Sequence, residues 1–473
     1  MRTVNLKIGV PREIAPGERR VAMVPRAFAP LQKSGAELLV EAGAGEAAGY
    51  PDAEYAARGA RLVASRDELF AEADLLLHVR VPGTWQPPGS AANAPPAAPS
   101  PPGAAAGGTG PAPPGGAAPD PAGGASGGAA ADPDLARLRP GQAVLGFADP
   151  LALPAASRDL AARGVTTFAL ELMPRITRAQ SMDALSSMAT VAGYKAVLLA
   201  AETLPRLFPM LMTAAGTVTP ARVLVIGAGV AGLFAAATAR RLGAVVSAYD
   251  VRPAAREQVE SVGAKFVALA LDSGGSEDRG GYAREMDAEF YRRQRELMAD
   301  TVREHDVVIT TAAVPGKKAP VLVTAEMVAT MAPGSVIVDL AAERGGNCEL
   351  TRAGETVIEH HVTILGPLNL AATVPFHASQ LYARNLASFL GHLLRDGQLS
   401  LDLGDEITRE TMVTRGGEVV HERVRGLLGL PPLPSPLPAG APPPGSAPNP
   451  AAAGLAAAAG SAPQVTSRAP GTN

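Results

Sequence analysis

Cysteine is nearly absent: 473 residues contain one, Cys348. A single thiol closes no internal disulfide and supplies no thiolate pair for zinc, so a stapled secreted scaffold and zinc-finger chemistry are excluded and a reducing compartment is expected. An excess of one charge is also missing. The 42 Lys and Arg stand against 45 Asp and Glu, a net charge of -3, with no long basic run. That balance argues against nucleic acid or an anionic membrane surface as a direct partner. The N-terminus lacks an apolar run of signal-peptide length, because Lys7 and Arg12 flank only four residues, and no export is expected. The uncharged stretch 223–239 is 17 residues long, short for a bilayer, and holds Gly227, Gly229 and Gly232, so no transmembrane helix is expected.

Large side chains are scarce in two places. Of the 45 residues in 87–131, 42 are Ala, Pro, Gly or Ser, and 431–473 carries Arg468 as its only charge. Such segments offer little to offset their ordering entropy and are expected to be disordered. Polyproline pieces such as 431–434 suit a tether or docking site. Against that, only 6 of the 42 basic residues are Lys, and a preference for Arg, Ala, Pro and Gly is what a GC-rich coding sequence produces without selection. The remaining 385 residues fit two domains of ordinary size.

What is there alternates between strand and helix. Short apolar runs at 6–10, 37–41, 75–81, 143–147 and 166–170 are separated by stretches of helical period. A second series follows at 222–226, 244–249, 265–269, 307–310, 335–340 and 363–365. The pattern predicts an α/β protein of two doubly wound, Rossmann-like domains with a cleft between them. A long helix over 186–204, capped by Ser186 or Ser187, and another over 378–395 would connect the two. The expected boundaries are 1–185, 186–366, a C-terminal segment 367–430 returning to the first domain, and the tail 431–473.

The strongest chemical signal is VLVIGAGVAG, where Gly227, Gly229 and Gly232 end an apolar strand and open an Ala-rich helix. The first glycine permits the tight turn, the second lets backbone approach a pyrophosphate, and the third allows close helix packing. Val230 and Ala231 belong to the same turn. A second strand ends at Asp250, 18 residues after Gly232 and 23 after Gly227. An acid there accepts hydrogen bonds from ribose hydroxyls and repels a 2′-phosphate, favouring NAD(H). Val251 and Arg252 follow it. Arg252 is a contrary sign, since an Arg nearby can hold that phosphate, which leaves a phosphorylated cofactor or an empty fold open.

Arg175, Arg178, Gln180, Ser181 and Asp183 form a polar cluster in MPRITRAQSMDALSS. Two cations, an amide and a carboxylate could orient a ribose and a carboxamide, with Arg175 and Asp183 paired. An ordinary solvated helix entry with a capping Asp or Ser reads equally well. The loop 272–284, with Tyr282 after a glycine pair, could be a lid or a charged surface loop. His360 and His361 would point to opposite faces of a strand, so no metal site is expected. Cys348 reads as a packed small residue. Lys317 and Lys318 stand near the cofactor or in a solvated turn.

These residues resemble a known family. The stretches IGVPRE (8–13), RVAMVP (20–25), EAGAGEAAGY (41–50), MPRITRAQSMDALSS (173–187) and VIGAGVAG (225–232) look like the soluble NAD(H)-binding domain I of the proton-translocating NAD(P) transhydrogenase alpha subunit, a relative of alanine dehydrogenase. AYDVRP (248–253), GGYAREM (280–286), PGKKAPVLVTAEMV (315–328) and GSVIVDLAAERGGNCE (334–349) continue the match; PLNLAAT (367–373) is looser. The resemblance implies that Arg175, Gln180 and Asp183 lie in the loop that positions the dihydronicotinamide, with Ser186 beside it. It also implies that Tyr282 sits on a mobile loop closing over nucleotide, and that Asp250 takes the adenosine ribose.

The amino-acid dehydrogenase relative needs general acid and base groups and a cationic clamp. Its catalytic His would fall near Asp149, its catalytic Asp at Glu343 and its substrate Lys at Arg80, leaving only Arg20 as a match. Hydride transfer between two nicotinamides moves no proton at the reacting carbon and needs proximity and orientation. The resemblance therefore implies a homodimeric subunit that binds NADH and passes hydride to NADP+ on a partner, with the NADP(H)-binding domain and the membrane proton channel on other chains. Its expected place is the cytoplasm, peripheral to the inner face of the cytoplasmic membrane. An alanine dehydrogenase-like oxidoreductase and a non-catalytic NAD(H)-binding module are the alternatives.

Overall fold

Strands in the middle of a parallel sheet are covered on both faces, so they read as unbroken apolar runs. Leu75–Arg80 and Ala143–Phe147 are of this kind, buried at nearly every position. The computed structural model describes residues 6–85, 132–269, 286–314, 316–395 and 397–433. The segments 87–131 and 431–473 lie outside these residues except for 431–433.

The first sheet has eight strands. In spatial order Arg61–Val63, Glu37–Glu41, Lys7–Val10, Leu75–Arg80, Ala143–Phe147 and Thr166–Ala169 are parallel, and Met412–Arg415 and Glu418–Val419 continue the sheet antiparallel. The second has seven: Lys265–Phe266, Val245–Tyr249, Arg222–Ile226, Val307–Thr310, Val336–Asp339 and Val362–Leu365 are parallel, with Thr356–Glu359 antiparallel at the edge. Each therefore reverses its chain order between its first and fourth strands. A crevice opens at the carboxyl ends of the strands there, where doubly wound sheets bind ligands.

Several local expectations change. The run at 265–269 pairs only at Lys265 and Phe266. His360 and His361 are not in a strand; they are the two-residue turn joining Thr356–Glu359 to Val362–Leu365, both with positive φ, 52° and 64°. That conformation suits the right-handed twist of a hairpin. The uncharged stretch 223–239 divides into a strand, the glycine turn and a helix.

Two helices join the lobes. Ala184–Thr203 is capped by Asp183, whose carboxylate accepts from Ser186 N at 2.8 Å, so the cap is neither Ser186 nor Ser187. Among the described residues it is the one helix long and apolar enough to cross a membrane. Its apolar surface instead packs on Val230–Arg241 and on Pro375–Leu393. The latter helix is buried in the core of the first sheet, with Tyr382 Oη donating to His78 O at 2.7 Å.

The connecting helix lies so close to Val230–Arg241 that a Cβ on Gly193 would sit 2.1 Å from Ala231 O. Ala in place of Gly inside a helix normally gains about 1 kcal/mol. Here the clash with backbone reverses the sign, and Gly193→Ala should destabilise the chain by about 1–3 kcal/mol. Thermal unfolding checks this; an unchanged or higher midpoint would show that the helices separate without cost.

Candidate functional site

The glycine turn is dictated by contact. Gly227 has φ +101°, and a Cβ there would meet Thr311 Oγ1 at 2.6 Å; that hydroxyl donates to Gly227 O at 2.9 Å. A Cβ on Gly232 would sit 1.8 Å from Gly227 O. Gly229 differs, because nothing lies within 4 Å of where its Cβ would be. The open space faces the N-terminus of Val230–Arg241, where backbone N–H groups lack helical acceptors and the helix dipole is positive. A pyrophosphate fits this cradle.

A cavity of about 240 Å³ adjoins the turn. Gly227, Gly229, Val230 and Ala231 line it with Asp250, Val251 and Arg252, and at one end with Arg175 and Ser186. Asp250 is buried, and all its acceptor positions are occupied. Its Oδ2 takes Ala228 N at 2.7 Å and Arg252 Nη2 at 2.9 Å, and its Oδ1 takes Arg252 N and Nε at 2.9 Å. Arg252, a possible phosphate holder from the sequence, thus forks onto the acid beside it. A ribose diol reaches Asp250 only if that fork opens.

The lining also includes residues that no sequence motif marks. Tyr249 and Gln294, both buried, line the cavity, and Gln294 Nε2 donates to Tyr249 Oη at 3.0 Å. Gln294 Oε1 has no partner. A buried acceptor without a partner is rare, and this one belongs to a residue of the cavity wall. One signal was available: helix Ala288–Arg303 buries Gln294, Met298 and Val302 at intervals of four, placing a glutamine on an otherwise apolar face.

The polar loop divides by role. Of the two readings of Asp183, the structure shows the capping one: its second oxygen takes Ser186 Oγ at 2.6 Å, so both oxygens serve Ser186 at the helix start. Gln180 is exposed and Gly232 buried, and neither lines the cavity. Arg178 Nη1 donates to Asp405 at 2.6 Å and Ser181 O accepts from Asn385 at 2.9 Å, fastening the loop to the C-terminal segment. Tyr282 lies outside the described residues. Lys317 and Lys318 line an adjoining cavity of about 200 Å³ with Tyr291 and Arg295. Cys348 is packed in the core, where burial pushes its thiol up to about 11.

The cleft floor shows what occupies the positions an amino-acid dehydrogenase would use. Arg20 forks onto Glu18 at 2.6 and 2.7 Å and donates to Asn369 Oδ1 at 2.9 Å. Glu343 accepts from Asn369 N at 2.6 Å, and Asp149 is ion-paired to Arg344 at 2.5 Å.

The chain is similar to known proteins along most of its length. Residues 196–422 match the family described as alanine dehydrogenase/PNT, C-terminal domain, and residues 9–90 and 129–192 match its N-terminal domain. The chain is 42% identical over 426 residues to the first portion of the NAD(P) transhydrogenase alpha subunit of Rhodospirillum rubrum, covering 89% of this chain and 99% of the relative. It is 29% identical over 440 residues to alanine dehydrogenase of Mycobacterium tuberculosis, covering 90% and 98%. The crystal structure of transhydrogenase from Sinorhizobium meliloti is 42% identical with a TM-score of 0.70, covering 88% of this chain and all of that one.

Buried carboxyls under the first crevice set a pH response. Glu13 accepts from Val79 N and Arg80 N at 2.6 and 3.2 Å, and its side chain is only 3% exposed. Burial, then the neighbouring Glu18 charge, pushes it up to about 8. Burial likewise lifts Glu171 to about 7, and lowers the neighbouring His78 to about 3. A carboxyl raised on folding contributes stability in its neutral form, complete below about 4.5 and lost as pH rises through about 8 for Glu13. The thermal midpoint should fall from pH 6 to pH 9. Glu13→Gln should flatten that slope while costing about 1 kcal/mol at pH 6 for a backbone N–H left without its acceptor. An unchanged slope would assign the response elsewhere.

Proposed function

The chain belongs to the alanine dehydrogenase/PNT family, and on that premise we propose that it is the NAD(H)-binding alpha subunit of a proton-translocating NAD(P) transhydrogenase. It passes hydride from NADH to NADP+ held by a partner subunit. The observation that carries this reading is one cavity holding the open turn at Gly229 together with Arg175 and Ser186 of the polar loop.

Bound NADH supplies the hydride from its dihydronicotinamide ring. The chain's own residues hold and orient it. The N–H groups at the start of Val230–Arg241 take the pyrophosphate, and Asp250 takes the adenosine ribose once Arg252 swings off it, which selects NAD(H). Tyr249 and Gln294, on the same cavity wall, supply polar groups for the adenine end. Arg175 and Ser186 hold the nicotinamide end, with Asp183 fixing Ser186 and Gln180 presented on the same loop. Hydride transfer needs distance and orientation rather than an acid and a base. The positions where an amino-acid dehydrogenase keeps that machinery are engaged in Asp149–Arg344, Glu343–Asn369 and Arg20–Glu18 contacts. The higher identity to the transhydrogenase relative than to alanine dehydrogenase supports the same choice.

The partners are then an NADP(H)-binding subunit and a membrane proton-channel subunit, with this chain peripheral to the inner face of the cytoplasmic membrane. We further propose that it is a homodimer. The hairpin Leu211–Thr213 and Gly216–Val218 exposes Leu211, Met212 and Val218 beside Leu207 and Met210, with Met212 77% exposed. An apolar patch of this kind suits self-association.

Mixing the chain with a separately expressed NADP(H)-binding subunit should give hydride transfer from NADH to an NADP+ analogue that requires both proteins. Pyruvate- and ammonia-dependent NADH oxidation by the chain alone would instead make it an amino-acid dehydrogenase, and binding without either reaction a silent module. Arg175→Ala and Gln180→Ala should lower transfer about tenfold or more while shifting NADH affinity far less. Weaker binding with an unchanged transfer rate would remove them from the positioning role. In sedimentation the parent should be a dimer and Met212→Asp a monomer; a parent that is monomeric at micromolar concentration would rule the dimer out.

A further inference from the structure

Hydride transfer depends on how the polar loop of one lobe is held over the glycine turn of the other. The helices Ala184–Thr203 and Pro375–Leu393 fix part of that relation. On the cleft floor a second connection is made by side chains. Asp149, in the loop after Ala143–Phe147, receives Arg344 Nη2 at 2.5 Å from the loop after Val336–Asp339.

Both ends of this pair are rigidly mounted. Asp149 has φ 46°, a left-handed conformation made less favourable by the proline that follows it. It is held there because Glu171 accepts Asp149 N at 2.8 Å and Ala148 N at 3.2 Å, while Asp149 O accepts from Ala152 N and Leu153 N. Glu171 lies in the turn Leu170–Leu172, which leads through Met173 and Pro174 to Arg175. On the other side, buried Asp339 binds Ala341 N, Asn347 N and Cys348 N, closing the loop that carries Arg344. Asn347 then grips Ala312 and Pro320, two residues of the nucleotide cavity wall. A Cβ on Gly316 would lie 2.8 Å from Leu151, so the loop after Ala143–Phe147 also packs against the loop after Val307–Thr310, which carries Ala312.

We infer that Asp149 and Arg344 are a positioning pair: they tie the segment leading to Arg175 directly to the cavity wall at Ala312 and Pro320, and so set the lobe angle at which hydride is transferred. The catalytic part of this inference rests on the proposed function. The tie itself does not.

The test uses the full chain with Arg58→Cys and Arg303→Cys spin-labelled, exposed positions on the two lobes, while Cys348, 1% exposed, stays unlabelled. The inter-label distance should be narrowly distributed in this background and broaden when Asp149→Asn or Arg344→Gln is added. Unlabelled Asp149→Asn and Arg344→Gln should each lower transfer at saturating NADH about fivefold or more, with NADH affinity within about twofold, and the double variant should be no slower than either single. Arg344→Lys, which keeps the charge, should recover part of the rate and replaces Arg344→Gln if that variant fails to fold. Unchanged distance widths in both variants would overturn the tie. Additive losses in the double variant, or affinity falling in step with rate, would overturn the positioning role. If the parent transfers no hydride the proposed function fails, and the distance widths still decide the tie.

Discussion

Residue 193 has no side chain, and much of the site follows from that. Because a Cβ there would meet Ala231 O, the connecting helix rests directly on the first turn of Val230–Arg241. Gly232 repeats the condition one layer further in, against Gly227 O. Two backbone-to-backbone approaches thus stack the connecting helix, Val230–Arg241 and the glycine turn. The start of the connecting helix, with Asp183 and Ser186, is thereby delivered to the cavity that begins at Gly229. A larger residue at either position would separate the two ends of the site, whatever polar groups they carried.

Charge placement distinguishes the chemistry available at that cleft. Along the cavity, the acid at Asp250 is matched by Arg252, and Arg175 is a second cation among amides, hydroxyls and backbone groups. Elsewhere in the cleft Asp149 and Arg344 pair between two loops, and Asn369 bonds the local Glu18–Arg20 pair while donating its N–H to Glu343. Groups held this way are poorly placed to carry protons to and from a substrate. They are well placed to keep two lobes in register, which is the demand made by a reaction whose rate depends on the approach of two rings.

Legibility in the sequence followed burial and backbone geometry. Interior strands such as Ala143–Phe147 were readable because burial on both faces leaves an unbroken apolar run. Others were not: the edge strand Arg61–Val63 exposes Arg61 and Leu62, and Met412–Arg415 is defined by antiparallel pairing with Thr166–Ala169 far along the chain. In the site, the three glycines and Asp250 stood out because close backbone approach and a strand end leave little choice of residue. Gln294 did not, since one glutamine on an amphipathic helix looks like any other until its neighbours at 298 and 302 prove buried. Asp149 and Arg344 are 195 residues apart, and no local pattern announces their pairing. The polar loop was legible as a group of residues, and the choice between an Arg175 pair and a helix cap for Asp183 was left even until the bonds to Ser186 decided for the cap.

The central claim is that the chain gives a hydride directly to a second nicotinamide. NADH carrying deuterium at the transferred C4 position, mixed with the chain, an NADP(H)-binding partner subunit and NADP+ in ordinary water, tests it by the mass of the NADPH formed. Direct transfer predicts NADPH that carries the deuterium and forms only when both proteins are present. Unlabelled NADPH, or none at all with a partner known to be competent, would contradict it.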